Sequence, residues 1–290
     1  MPRSNWRNGC SSGLFCPGPI RYDYRQQARN MATAVKPSVR SPGIQSVSKA
    51  LELLCCFSPD HPEWGVTEVA DYLGLCKSAA HRILATCEEY HFVVRTSSRR
   101  YRLGTRALDL GNIYRFDRRM LWKAELPLRQ LADQTGSVVH IGELDGRDVL
   151  ELLRSSGPGA VVFTPTPRLR GAAHATAMGK ILLAFSGEAV FSHFVGLRRT
   201  FTQLTPHTIV TPEALKKELE VVASQGYAIS DQEAVLGCRC VGVPIRGRRR
   251  NLVAALSVSN TPKKFCEREI PSLLTKLFTS AELIGREVLD

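Results

Sequence analysis

The sequence predicts an α+β fold in two parts: a small helical unit closed by a hairpin, then a larger unit in which an antiparallel sheet carries helices. Three observations predict it. Between Ser46 and Tyr90 the apolar residues recur at helical spacing, broken by proline and glycine. From Val138 the runs VVHIGEL, DVLELLRS and AVVFT are separated by the turn residues Asp145-Gly146 and Gly157-Pro158-Gly159, which is the pattern of two or three antiparallel strands. Between these regions, residues 105–125 read as a linking helix. A chain of 290 residues with 43% apolar content has room for two such cores.

Residues 1–43 mix Gly, Pro, Ser, Asn and Arg with no apolar period, so they read as a disordered basic tail. Met31 offers an alternative start. Ser46–Phe57 reads as a helix, with Ser46 or Ser48 as its cap and Pro59 and Pro62 beyond its end. Thr67 is the expected cap of a short helix holding Val69, Ala70 and Leu73. Gly74 makes the turn into a second helix from Lys77 to about Tyr90. On that second helix Ala80, Ile83, Leu84 and Cys87 form one apolar stripe, while Lys77, Ser78, His81 and Arg82 face outward. A short helix with a buried back and a cationic front, entered through a tight turn, has the shape of a major-groove reader.

Phe92–Arg95 and Arg100–Leu103 flank TSSRR as a hairpin with Arg99 and Arg100 near its tip. Such a hairpin is the wing of a winged helix-turn-helix over residues 44–104, and Arg95, Arg99, Arg100 and Arg102 would hold phosphates or a groove. Pro127 is expected to start a new helix after the linker, opening the second domain at 126–290. His174–Phe185, Pro212–Gln225 and Glu267–Val288 read as helices, and Val241–Ile245 with Leu252–Ser259 as a hairpin.

Charge supports a nucleic-acid partner through its distribution more than its size. The net charge is +12, but residues 1–40 hold seven Lys/Arg against one acid, Asp23. In Ile44–Gly104 the seven basic and seven acidic residues cancel, and the bases cluster at Lys77–Arg82 and Arg95–Arg102. The nine cysteines are scattered and odd in number, which argues for a reducing cytoplasm rather than a disulfide framework. No run approaches the ~20 apolar residues of a membrane helix, and the N-terminus lacks the apolar core of a secretory signal.

In the second part, Ser257 and Ser259 share one face of the last strand and need hydrogen-bond partners. A small polar ligand would supply them, as would backbone or water. Cys238 and Cys240 with His174 offer a metal site as one alternative, but their spacing suits tetrahedral zinc poorly. A Cys240–His174 nucleophile pair is the other alternative, and the competing reading of the whole chain is a small-molecule-binding or Cys-dependent enzyme domain whose helical hairpin only dimerises. Neither accounts for the cationic helix, so the chain is expected to be no enzyme and to need no metal or cofactor.

The runs IQSVSKALELL, VTEVADYLGLCKSAAHRIL and RRYRLG resemble the winged helix-turn-helix of IclR-type bacterial transcriptional regulators. HATAMGKILLA and GYAISDQEAVLGCRCVGVPI are similar to that family's GAF-like effector-binding domain. The resemblance covers the chain from about Ile44 onward. It implies a ligand-responsive repressor or activator that binds a palindromic operator as a dimer or tetramer, with the linker helping to dimerise. It also implies an effector site at Ala177 and Met178 on a helix start, Ser230 and Asp231 in a loop, Cys238 and Cys240, and Ser257 and Ser259. Backbone amides at a helix start favour an anion, so a small carboxylic acid is the expected effector. Phe163 would cover an aromatic or short aliphatic acid. Ser230 stands where the family often has an acid, and Met178 is larger than the alanine sometimes found there.

Overall fold

The computed structural model describes residues 43–58, 61–117, 119–162 and 170–286. The chain divides into two compact units, Met1–Gly104 and Thr105–Asp290.

In the first unit, α1 (Gln45–Leu54), α2 (Val66–Leu73) and α3 (Lys77–Glu89) pack beside β1 (Glu63–Trp64), β2 (Val93–Arg95) and β3 (Tyr101–Leu103). The strands form an antiparallel sheet in the order β1-β3-β2. Leu53, Val69, Leu73, Ala80, Leu84 and Tyr101 fill the core at 4% exposure or less, each large side chain contributing about 1.5–3 kcal/mol. Gly74 ends α2 in the left-handed conformation (φ 64°), which aims the chain into α3.

Two expected caps are replaced. Ile44, not Ser46 or Ser48, precedes α1, and no side chain caps it. The helix starts two residues earlier than a Ser46 cap implies, and the Ser48 N–H closes its first turn onto the Ile44 carbonyl. Gly65, not Thr67, precedes α2. The Glu68 carboxylate reaches back to the Gly65 N–H at 2.8 Å, so the acid three residues on does the work assigned to the threonine.

The second unit contains, among its described residues, a six-stranded antiparallel sheet in the order β6-β5-β4-β9-β8-β7. Its strands are β4 (Val138–Asp145), β5 (Asp148–Ser156), β6 (Arg170–Ala172), β7 (Ala228–Asp231), β8 (Arg239–Arg246) and β9 (Leu252–Asn260). Strand alternation sends Val139, Ile141, Val241, Val243, Leu256 and Val258 into one core with α5 (Arg119–Thr135) and α9 (Ile270–Arg286). The other face packs on α6 (Ala177–Phe185), α7 (Glu188–Val195) and α8 (Pro212–Gln225). Thr211 caps α8 and Gly226 ends it at φ 83°. Preceding α5 is α4 (Thr105–Asp117), which leaves Leu108, Leu110 and Ile113 exposed on this unit.

Three expectations about elements are corrected. Pro127 lies inside α5 rather than at a helix start. The stripe Met120, Leu121, Ala124, Leu128, Leu131 and Ala132 is buried across the proline, and that burial outweighs the lost hydrogen bond. The run AVVFT is not a strand over Ala160–Val162, where Val161 and Val162 are exposed. Arg170–Ala172 takes the place beside β5 instead. Finally, His174–Phe185 is not one helix. Ala173–Ala175 is a 3-10 turn, and Thr176 then caps α6 by accepting from the Gly179 N–H at 3.1 Å. Gly179 is required there, because a Cβ would lie 2.1 Å from the Ala173 carbonyl oxygen.

Candidate nucleic-acid interface and ligand cavity

On α3, the side chains of Ala80, Leu84 and Cys87 are buried and those of Lys77, Ser78, His81 and Arg82 are exposed. At about 100° per residue the four exposed positions span roughly 140° of the helix, away from the buried stripe. Cys76 precedes the helix, and its Sγ lies 3.2 Å from the Ser78 Oγ. The bond to Ser78 and the Ala79 N–H hold the Cys76 thiol below its ordinary range.

The β2–β3 hairpin turns through residues 96–100, closed by the Thr96 N–H on the Arg100 carbonyl at 2.7 Å. Arg99 sits at the tip with φ 60° and is exposed, as are Arg95 and Arg102. Arg100 departs from its expected role. Its guanidinium folds back to Glu68 at 2.6 and 3.2 Å and to the Glu63 carbonyl at 2.9 Å. It is a strut between wing and α2, not a side chain held ready for phosphate. The Gly65 N–H and Arg100 together hold the Glu68 carboxyl below the usual carboxylate range.

In the second unit a cavity of about 120 Å³ opens where the start of α6 meets the sheet. Six of the expected effector residues line it: Ala177, Met178, Cys238, Cys240, Ser257 and Ser259. The rest differ. Ser230 and Asp231 lie on β7, not in a loop. Ser230 is buried and donates to the Ala175 carbonyl at 2.7 Å, which pins the turn before α6. Asp231 is paired to Arg239, whose guanidinium holds its carboxyl below the usual range. Each is therefore a brace of the site rather than part of its lining. Phe163 lies outside the described residues.

The loop after β7 is fastened from below. Lys180, buried on α6, donates to Glu233 at 2.7 Å, to Glu218 at 2.9 Å and to the Ile229 carbonyl at 3.0 Å. Thr205 and Thr208 donate to the Gln232 and Glu233 carbonyls, each at 2.7 Å. Burial pushes the Glu233 carboxyl up, against the pull of Lys180. This anchorage presents Ala234 and Val235 to the cavity.

Cys238 and Cys240 approach to 3.7 Å between sulfurs. The bond to Cys238 and burial push the Cys240 thiol well above its ordinary value, opposite to what a thiolate nucleophile or metal ligand needs. His174 bonds instead to the Thr202 carbonyl at 3.0 Å and stacks on Phe201. Among the described residues no three His, Cys, Asp or Glu side chains converge to hold a metal, and no helix is long and apolar enough to cross a membrane.

Sequence reasoning missed His140, Glu151 and Arg154, which also line the cavity. The available signal was a His and a Glu in the strand runs VVHIGEL and DVLELLRS, which are otherwise rich in Val, Ile and Leu.

Comparison with known proteins finds matches to both units. The family model for the IclR helix-turn-helix domain matches residues 46–97, and that for the bacterial transcriptional regulator IclR C-terminal domain matches residues 117–286. The chain is 32% identical to the HTH-type transcriptional regulator XynR of Escherichia coli over 84% of its length and 97% of that protein's. It is 29% identical to the glycerol operon regulatory protein of Streptomyces coelicolor, over 84% and 96%. The crystal structure of the Thermotoga maritima IclR superposes with a TM-score of 0.67 at 28% identity, covering 84% of this chain and 99% of that one. A transcriptional regulator from Rhodococcus superposes with a TM-score of 0.72 at 26% identity, over 84% and 98%. The named relatives are regulators and repressors rather than enzymes.

Proposed function

The chain belongs to the IclR family of transcriptional regulators, and on that footing we propose that it reads a palindromic double-stranded operator as a homodimer or tetramer, in answer to a small carboxylic acid. DNA binding by the N-terminal unit and effector binding by the C-terminal unit are the family's common ground. The finer reading concerns which residues do this. Lys77, Ser78, His81 and Arg82 face the major groove, with Arg82 bidentate to a guanine. Arg95, Arg99 and Arg102 hold the backbone beside it. The observation that carries the reading is the exposed polar front of α3 set against a buried stripe.

A single short helix reads few bases, so two copies are needed. The exposed Leu108, Leu110 and Ile113 of α4 are the surface proposed to join them. The acid sits in the cavity with its carboxylate over the first amides of α6, where the helix start favours negative charge. A regulator of this kind acts on DNA in the bacterial cytoplasm.

Genomic fragments selected by binding test the first half. Operator affinity should fall steeply with salt, as phosphate contacts release counterions. Absence of DNA affinity at low salt would sink the reading and favour a ligand-binding module. Ser257→Ala combined with Ser259→Ala should abolish the response to acid while leaving operator binding intact.

A further inference from the structure

Two sulfurs meet on the cavity wall. Cys238 Sγ and Cys240 Sγ lie 3.7 Å apart, and both residues line the cavity. Side chains two residues apart on an extended chain turn to one side. Arg239, between them, binds Asp231 and the Phe265 carbonyl instead.

Their backbones are held unequally. Cys240 lies within the sheet, opposite Ser230 of β7 on one side and Ser259 of β9 on the other. Cys238 stands just before β8, after Gly237 with its φ of 77°. It closes the turn that begins at Gln232. The Gln232 N–H donates to the Cys238 carbonyl at 2.8 Å, and the Cys238 N–H donates to the Val235 carbonyl at 3.2 Å. A disulfide places its sulfurs about 2 Å apart, so roughly 1.7 Å separates this pair from bonding. Cys238, outside the ladder, is the residue that can travel.

We propose that Cys238 and Cys240 form a reversible disulfide on reaction with a hydroperoxide, making the cavity wall a site of redox modification. The proposal does not rest on the acid-binding reading above. Burial and the bond to Cys238 keep the proton on Cys240, so the attacking sulfur is that of Cys238. A cavity of about 120 Å³ opens onto it, room enough for a small hydroperoxide. The Cys238 thiolate attacks one peroxide oxygen and becomes a sulfenic acid. The O–O bond breaks, and the departing oxygen takes a proton to leave as an alcohol or water. The Cys240 sulfur then attacks that of Cys238. The S–S bond forms, the S–O bond breaks, and the departing hydroxide carries off the Cys240 proton as water. Two thiols lose two electrons and one hydroperoxide gains them.

Geometry also makes the bond reversible. Two residues along a strand separate Cα atoms by about 6.4–6.8 Å, the upper end of the ~4.4–6.8 Å that a disulfide spans. A bond at that limit is strained and yields readily to thiols. Its closure draws on the turn that presents Ala234 and Val235 to the cavity.

Peptide mapping of the full chain tests this. The reduced protein is freed of reductant, treated with sub-millimolar hydrogen peroxide, alkylated with iodoacetamide and cut with trypsin. Because Arg239 separates the two cysteines, peptides 218–239 and 240–246 should stay joined after oxidation and part on reduction. Millimolar glutathione, added before alkylation, should abolish the link. In Cys240→Ser the reaction should stop at the sulfenic acid, which dimedone labels on Cys238. The proposal is overturned if both peptides are alkylated while the exposed Cys76 is oxidised, or if either cysteine is linked to a third. A link that survives glutathione would overturn it as well, by showing a structural crosslink. So would dimedone labelling that misses Cys238. The wild-type map decides the matter even if the variant does not fold.

Discussion

Arg82 and Arg100 carry the same guanidinium in the same small unit, and their surroundings give them opposite tasks. Arg82 is exposed on α3 with the helix core behind it. Replacing it with alanine should cost about 1–3 kcal/mol of operator affinity and leave thermal unfolding unchanged, which binding isotherms and melting curves read separately. Arg100 closes a two-pronged contact with Glu68. Its loss should act on stability instead, by no more than about 1 kcal/mol, since both side chains are over a third exposed and solvent screens the pair. The Glu68 carboxyl titrates below its ordinary range in the fold. Its contribution to stability is thus present above the unfolded carboxylate pKa and is lost as pH falls through the folded one. Arg100→Ala should raise the Glu68 titration midpoint only partway, because the Gly65 N–H remains. An NMR titration in which the midpoint does not move would show that the strut has no electrostatic effect.

At the scale of the element, α5 illustrates how burial overrides propensity. The helix continues through Pro127 because its buried stripe is continuous on both sides. A proline in a helix interior costs about 3 kcal/mol relative to alanine, offset in part by the freedom it removes from the unfolded chain. Pro127→Ala should therefore raise stability by about 1–2 kcal/mol, seen as a higher denaturation midpoint. The same competition explains α6. A sequence pattern reading continuously from His174 is divided because Thr176 satisfies the Gly179 amide and Ser230 holds the Ala175 carbonyl. That break is what places a helix start at the cavity. Neither partner of the second bond is near the other in sequence, so no local pattern announced it.

For the whole molecule, two consequences follow from the proposed function. If α4 joins two copies, Leu110→Lys with Ile113→Lys should yield monomers in sedimentation and reduce operator affinity by about a hundredfold or more, because linked half-sites act together. The acid, for its part, changes operator affinity only as far as it favours one arrangement of the chain over another. That coupling is reciprocal. The factor by which the acid changes operator affinity should equal the factor by which operator DNA changes acid affinity. Unequal factors would mean that a third species, such as a change of oligomer, enters the cycle.

The α3 stripe, the Gly74 turn, the wing and the strand-rich second unit were legible in the chain, whereas six of the fifteen residues that line the cavity were expected, and those through the family resemblance. These features repeat at the periods of helix and strand, and period is a local property that burial of one face imposes on consecutive residues. Three things were decided only by tertiary structure: the folding back of Arg100, the bracing roles of Ser230 and Asp231, and the meeting of His140, Glu151 and Ser259. Each depends on which distant group stands within hydrogen-bond reach. His140 and Ser259 are 119 residues apart, and only the pairing of β4 with β9 brings their side chains to one wall. Periodicity tells a side chain which way to face, but its partner is chosen by the register of strands that the chain has yet to assemble.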